Sequence, residues 1–271
     1  MYKIIFLLML LSATQDSFAQ TQEQPIDGLF AETGLESRRL LPYPSIRAAD
    51  ISWQKKQTRV IDTRELLNLP FRHPELGLFQ AIETGVLAGE ITVYDPAYPD
   101  FSQPMDAQEW LNQFNRTDTV RVTDPTTGEV TWQVVEDLFD PETVVRYRVR
   151  EVVYFDRQSS TQRTRIIGLA PLQQTTDERG EPSFEFVMGW IYWPQARAWF
   201  DRQGYYLDGT DQATMSWADA MDMRRFSSYI MEQSNVRGDR LSNSYTGRAL
   251  LKESQNLEAG QANREHDMWS Y

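Results

Sequence analysis

Side chains able to do chemistry are unevenly supplied in this chain of 271 residues: 39 are acidic, two are histidines and none is a cysteine. A glycoside hydrolase needs only two carboxylates at a set separation, so the acidic residues leave a carboxylate-pair hydrolase open without marking any particular pair. His73 and His266 lie towards opposite ends of the chain, and an imidazole triad or a multi-His zinc site would need both rings in one place. They read as ordinary surface or structural histidines. The absence of cysteine excludes disulfides, thiol nucleophiles and thiolate metal sites. No His-Glu-x-x-His, Gly-x-Ser-x-Gly or Gly-x-x-x-x-Gly-Lys-Ser/Thr stretch occurs, so zincin, esterase-elbow and phosphate-loop chemistries lack their parts. Asp208-Gly209-Thr210-Asp211 resembles a fragment of a calcium loop but lacks the bidentate Glu that closes one, and reads as a polar turn. Arg237-Gly238-Asp239 spells an adhesion tripeptide that a chain of this length contains by chance, and Asn115-Arg116-Thr117 matches a glycosylation sequon. The expectation is a protein without catalytic, metal-binding or cofactor-binding residues.

Aromatic side chains are the other candidates. Between Phe184 and Phe200 seven rings fall within seventeen residues. Trp190, Tyr192 and Trp193 are suited to stacking on sugar faces, which makes a periplasmic glycan- or peptidoglycan-binding module the alternative function. That reading predicts exposed, coplanar rings, whereas a core strand predicts rings turned inwards. Glu185 and Arg197 exclude a membrane span. Alternation as far as Trp193 gives a strand apolar on both faces, and Pro194 then opens a helix where its missing N–H costs nothing.

The remaining elements must position these residues. Lys3, the apolar run from Ile4 to Leu11 and the small-x-Ala site Ser17-Phe18-Ala19 read as a signal peptide over 1–19, leaving an exported, periplasmic protein that starts at Gln20. The cleavage point has no cysteine, so a lipid anchor must belong to a partner. The formal charge of −12 disfavours nucleic acid and anionic lipid as partners. Residues 20–50, punctuated by Pro25, Gly28, Gly34, Pro42 and Pro44, read as an extended arm. An α+β globular domain follows over 51–235. In it, Glu75 to Val86 and Met105 to Phe114 form amphipathic helices, and Ile91 to Tyr94 a short strand. Val120 to Val134 forms a hairpin about Asp124 to Glu129. In the strand from Val144 to Phe155, Val145, Tyr147, Val149 and Val153 line one face and Arg146, Arg148 and Arg150 the other. The fold class is α+β, with an antiparallel β-meander in the middle of the chain packed with amphipathic helices and a helical C-terminal part. Ser216 and Asp219 form a capping-box-like start to a helix expected to run through Gln233, and residues 236–271 read as a polar, weakly helical tail.

Several stretches, in order, resemble the GldN/PorN family. They are Ser52-Trp53-Gln54-Lys55-Lys56-Gln57-Thr58-Arg59-Val60-Ile61-Asp62-Thr63-Arg64-Glu65 leading into Asn68-Leu69-Pro70, Ile91-Thr92-Val93-Tyr94, Tyr154-Phe155-Asp156-Arg157-Gln158-Ser159-Ser160 and Arg165-Ile166-Ile167-Gly168-Leu169-Ala170-Pro171. Trp190-Ile191-Tyr192-Trp193-Pro194, Arg224-Arg225-Phe226-Ser227-Ser228-Tyr229-Ile230 and Glu232-Gln233-Ser234-Asn235 continue the match. The resemblance implies a non-enzymatic structural subunit of the periplasmic ring of the type IX secretion and gliding motility machinery of Bacteroidetes. The implied partners are a GldK/PorK-type outer-membrane lipoprotein, which would hold the protein at the inner face of the outer membrane, further copies of itself in the ring, and GldL/GldM-type motor proteins. It supplies no catalytic residues. A closed ring needs heterologous contacts, which usually rest on a few buried aromatic or Arg anchors. Trp53, Arg59, Arg224 and Arg225 are the candidates, with Trp193 as a further contact. Each also has an internal reading: the tryptophans as core, the arginines as partners of nearby carboxylates.

Overall fold

Long alternating runs build the frame. In the structure, a computed structural model describing residues 40–98, 100–114, 116–123, 130–137, 139–176, 182–207, 215–234 and 241–268, these runs become the strands β1 (Ile51–Asp62), β6 (Val144–Asp156) and β7 (Thr161–Thr176). The expected signal peptide, most of the expected arm, the hairpin turn, the calcium-loop fragment and the adhesion tripeptide lie outside the described residues. Shorter strands are β2 (Val93–Tyr94), β3 (Pro104–Met105), β4 (Arg116–Thr123), β5 (Val130–Asp137), β8 (Pro182–Val187), β9 (Trp190–Tyr192), β10 (Gly204–Tyr205), β11 (Met215–Ser216) and β12 (Tyr229–Gln233). The main sheet runs β12-β1-β6-β7-β9-β2-β3, with β8 also paired to β7, while β4-β5 and β10-β11 pair separately. The fold is therefore mixed α+β with a central antiparallel sheet.

The helices are α1 (Leu78–Leu87), α2 (Ala107–Asn112), α3 (Trp193–Phe200), α4 (Trp217–Asp222), α5 (Leu241–Ser244) and α6 (Gly247–Met268). The register puts Ile61 opposite Tyr147, Val149 opposite Leu169 and Leu169 opposite Ile191, all on one face of the sheet. Those side chains form the core with Leu78, Ile82 and Val86 of α1, Trp193 and Phe200 of α3, and Trp217 and Met221 of α4. Buried indoles find acceptors, as such groups must: Trp110 donates to the Met188 carbonyl at 2.8 Å and Trp217 to that of Leu76 at 3.0 Å.

The aromatic run is two strands, not one. Gly189, at φ 153°, breaks it, and a Cβ there would lie 2.3 Å from Val93 Cγ1. Trp190 and Trp193 are buried, whereas Phe184 on the outer strand is exposed. Pro194 falls in the first turn of α3, as its fixed φ favours.

The helix expected to reach Gln233 ends at Asp222. Its start is as read, the Ser216 hydroxyl accepting from the Asp219 N–H at 3.1 Å. It stops because Arg224 takes a left-handed conformation, φ 55°. The Arg224 N–H bonds the Met221 carbonyl and the Arg225 N–H that of Ala220, the paired closure of a Schellman motif. Tyr229–Gln233 then pairs with β1 as an edge strand. Neither a glycine nor a proline announces this stop, so helical spacing alone carried the expectation too far.

Candidate protein interface

Leu66-Leu67-Asn68-Leu69 inverts the usual order of burial. These residues open a 3-10 helix, Leu66–Arg72. Asn68 is fully buried while Leu66, Leu67 and Leu69 are 85%, 57% and 49% exposed. The cause is hydrogen bonding. Asn68 Nδ2 donates to the carbonyls of Asp62, at 2.7 Å, and Ser227, at 2.9 Å, and Oδ1 accepts from the Ser227 N–H at 2.8 Å. A single amide thus ties the end of β1 to the lead into β12 and leaves no inward room for its apolar neighbours. Beside this ridge opens a cleft of about 780 Å³ walled by Leu69, Phe71, Phe79 and Tyr147, with Glu83 and Asp140 among its polar residues. His73 belongs to the same cleft. Its Nδ1 accepts from the N–H groups of Glu75 and Leu76, and its ring stacks on Tyr206.

A second feature lies where the apolar core gives out along the same sheet face. Arg59 opposite Val149, Gln57 opposite Glu151 and Gln233 opposite Gln57 continue the inward-facing rows of β1, β6 and β12 in polar residues. Glu151 has no exposed surface. Arg224 Nη1 reaches its Oε2 at 2.5 Å and Nη2 its Oε1 at 3.3 Å, Arg59 Nε lies 3.8 Å from Oε1, and the Gln57 amide donates to Oε1. Such a carboxylate is tolerable inside only because its acceptor sites are filled by charged or amide donors.

Helix α6 lies over this layer. Ser254, Glu258, Gln261 and Arg264, spaced 4, 3 and 3 residues apart, share one helical face. Ser254 Oγ accepts from the Ile230 N–H at 2.7 Å, and Gln261 donates to Gln57 Oε1 at 2.8 Å. Arg59 donates to Glu258 and, at 2.8 Å, to Ser228 Oγ. The Arg264 guanidinium stands 5.3 Å from the Trp53 ring. The polar tail is therefore a helix over Gly247–Met268 that docks through matched polar groups, a pattern that apolar periodicity does not detect.

A third feature is a clamp on the segment before β1. The Tyr43 hydroxyl donates to Asp222 at 3.0 Å and accepts from Trp193 Nε1 at 3.2 Å. Its ring lies between the guanidiniums of Arg197, at 4.3 Å, and Arg165, at 4.7 Å. Burial, reinforced by the Asp222 carboxylate, pushes the phenol up to about 12. Arg197 and Arg165 also donate to the carbonyls of Leu41 and Pro44, at 2.6 and 3.0 Å. On the other sheet face Arg146 bonds Asp62 at 2.9 Å and Glu185 at 2.6 Å. Burial raises the Asp62 carboxyl, but hydrogen bonds from the Arg64 side chain and N–H and from Arg146 outweigh it and hold the group well below the carboxylate range.

The structure thus places Trp53 and Arg59 beneath α6, holds Arg224 on buried Glu151, puts Trp193 in the Tyr43 clamp and leaves Arg225 exposed. The exposed leucine ridge had no signal in periodicity. Only the succession Leu-Leu-Asn-Leu-Pro, too polar at its centre for a core helix and too apolar for a loop, marks it. Of the rings suited to sugar stacking, Trp190 and Trp193 are buried. Among the described residues no group of His, Asp and Glu is placed to hold a metal ion, and no helix is long and apolar enough to cross a membrane. A family model described as "Gliding motility associated protein GldN" matches residues 46–270. No curated protein matches the chain.

Proposed function

Because the chain belongs to the GldN family of gliding motility associated proteins, we propose that it is a non-enzymatic structural subunit of the periplasmic ring of the type IX secretion machinery. It acts by assembling with copies of itself and with a GldK/PorK-type outer-membrane lipoprotein, which carries the lipid anchor. Contacts to GldL/GldM-type motor proteins complete the role. The observation that best supports an assembly role is the ridge of Leu66, Leu67 and Leu69, held outward by buried Asn68 beside an apolar cleft. Exposing three leucines on one short helix forgoes part of the about 1.5–3 kcal/mol that full burial of each would give, and a partner surface recovers it.

Coexpression with the lipoprotein followed by size-exclusion chromatography and negative-stain microscopy tests the reading. Leu66→Asp with Leu67→Asp should leave the isolated chain folded and abolish the complex. A chain that stays monomeric beside the lipoprotein, or retention on peptidoglycan in its absence, would count against the ring role.

A further inference from the structure

The seat of α6 is a matched donor and acceptor pair, and we propose that α6 is exchanged between copies, each subunit's C-terminal helix occupying the polar seat of its neighbour. This rests on the ring reading and names the contact between copies.

Three observations converge. First, the residues of α6 turned to the sheet are polar where they are most buried: Ser254 is 2% and Gln261 8% exposed. Leaving the seat therefore gives up hydrogen bonds and an ion pair rather than a large apolar area, and an identical seat on another copy restores each of them. Exchange of an identical element is a low-cost route to assembly for this reason. Second, α6 brings charge complementary to the seat: Glu258 pairs with Arg59, which also approaches Glu151, a carboxylate shared with Arg224. The occupant is thereby specified as a helix with an acid at that position and an amide three residues later, a pattern that every copy carries. Third, α6 packs on β12, the edge strand of the sheet. Seven residues, 234–240, separate β12 from α5, and a chain of seven residues spans at most about 25 Å.

Head-to-tail exchange has the heterologous geometry that closes into a ring. It also gives Trp53 and Arg59 a role in assembly despite their internal contacts, because Arg264, which stands over Trp53, and Glu258, which pairs with Arg59, come from α6.

The cysteine-free chain allows a direct test. Gln57→Cys with Gln261→Cys puts one thiol on each side of the amide contact, and Trp53→Cys with Arg264→Cys does so at the cation-π contact. Because these contacts are made by the ends of long side chains, each pair is bridged with a bis-methanethiosulfonate reagent, which spans the gap and is released by reduction, in the isolated monomer and in the complex formed with the lipoprotein, then resolved on non-reducing gels. Exchange predicts single-chain crosslinks in the monomer and covalent multimers in the complex. It also predicts that monomer crosslinked beforehand loses assembly and regains it on reduction. Single-chain crosslinks in the complex, normal assembly of pre-crosslinked monomer, or absence of crosslinks from both pairs in the monomer would overturn the proposal. Failure of the unmodified chain to assemble at all would instead remove the ring reading itself.

Discussion

Arg224 occupies a position that helix termination would assign to glycine, and the conflict can be measured. Replacing it with glycine removes its bonds to fully buried Glu151 and relaxes a left-handed backbone at φ 55°. Loss of one partner from a buried ion pair costs about 3–5 kcal/mol. Here the Arg224 side chain is 34% exposed, and Gln57 and Arg59 remain near the carboxylate, which brings the loss to about 2–3 kcal/mol. The left-handed conformation costs an L residue about 1–2 kcal/mol, which glycine recovers in large part. Arg224→Gly should therefore destabilise by about 1–2 kcal/mol, and Arg224→Ala, which keeps the strain, by about 1 kcal/mol more. In a Glu151→Gln background the charge term largely disappears, so Arg224→Gly should there be neutral or stabilising by about 1 kcal/mol. Urea unfolding of the unmodified chain, Arg224→Gly, Arg224→Ala, Glu151→Gln and the variant combining Glu151→Gln with Arg224→Gly, followed by tryptophan fluorescence, supplies the free energies. Equal stability of the glycine and alanine variants, or a gain from Arg224→Gly in the unmodified chain, would refute the claim that the guanidinium is kept at the expense of the backbone.

Asn68→Ala removes three hydrogen bonds at a fully buried site and orphans backbone groups of Asp62 and Ser227; a loss of about 2–4 kcal/mol in urea unfolding is expected. Tyr43→Phe removes the hydroxyl bonded to Asp222 and Trp193 and should cost about 1–2 kcal/mol near neutral pH. Because the folded phenol is raised to about 12, its advantage is complete below the unfolded value near 10 and is lost as pH rises through 12. Unfolding of Tyr43→Phe and the unmodified chain should accordingly converge in alkali. Asp62 has the opposite sign, since its folded carboxyl is depressed by Arg64 and Arg146. Asp62→Asn should destabilise by about 1–2 kcal/mol at pH 7, with the gap closing as pH falls below the unfolded value near 3.9. A gap unchanged down to pH 2.5 would remove that assignment.

Where burial is apolar and periodic, sequence and structure agree closely. The face of Tyr147, Val149 and Val153 on β6, the stripe of Leu78, Phe79, Ile82 and Val86 on α1, and the Ser216 cap all follow from spacing and capping chemistry, whereas at the start of β6 a register shift puts Val144 rather than the expected Val145 in the core. Departures occur where polar groups carry the packing. The stop after Asp222 depends on a left-handed arginine whose reason, Glu151, lies 73 residues away in the chain. Helix α6 depends on Ser254, Glu258 and Gln261 meeting polar partners on β12 and β1, so its apolar stripe is narrow. Leu66 and Leu67 are exposed because Asn68 bonds Ser227, 159 residues distant. Each is a long-range polar match, and local propensity contains no term for it.

The division of the inner sheet face also bears on how such a subunit would be regulated. Its apolar half, from Ile61 and Tyr147 to Trp217, supplies stability that no exchange of partners should disturb. Its polar half repays little more than the desolvation of Arg59, Glu151 and Arg224, so it chooses which helix is seated rather than how firmly the domain is folded. The leucine ridge differs again, being apolar, outward and tied to the frame through Asn68. On the proposed reading these surfaces fail independently. Leu66→Asp with Leu67→Asp removes the partner contact while leaving crosslinking at Gln57→Cys and Gln261→Cys unchanged in the monomer. Asn68→Ala weakens the ridge through its support and should lower lipoprotein binding even at temperatures where the core remains folded. Binding lost only in step with global unfolding would show that the ridge has no support separate from the core, and would remove this reading of Asn68.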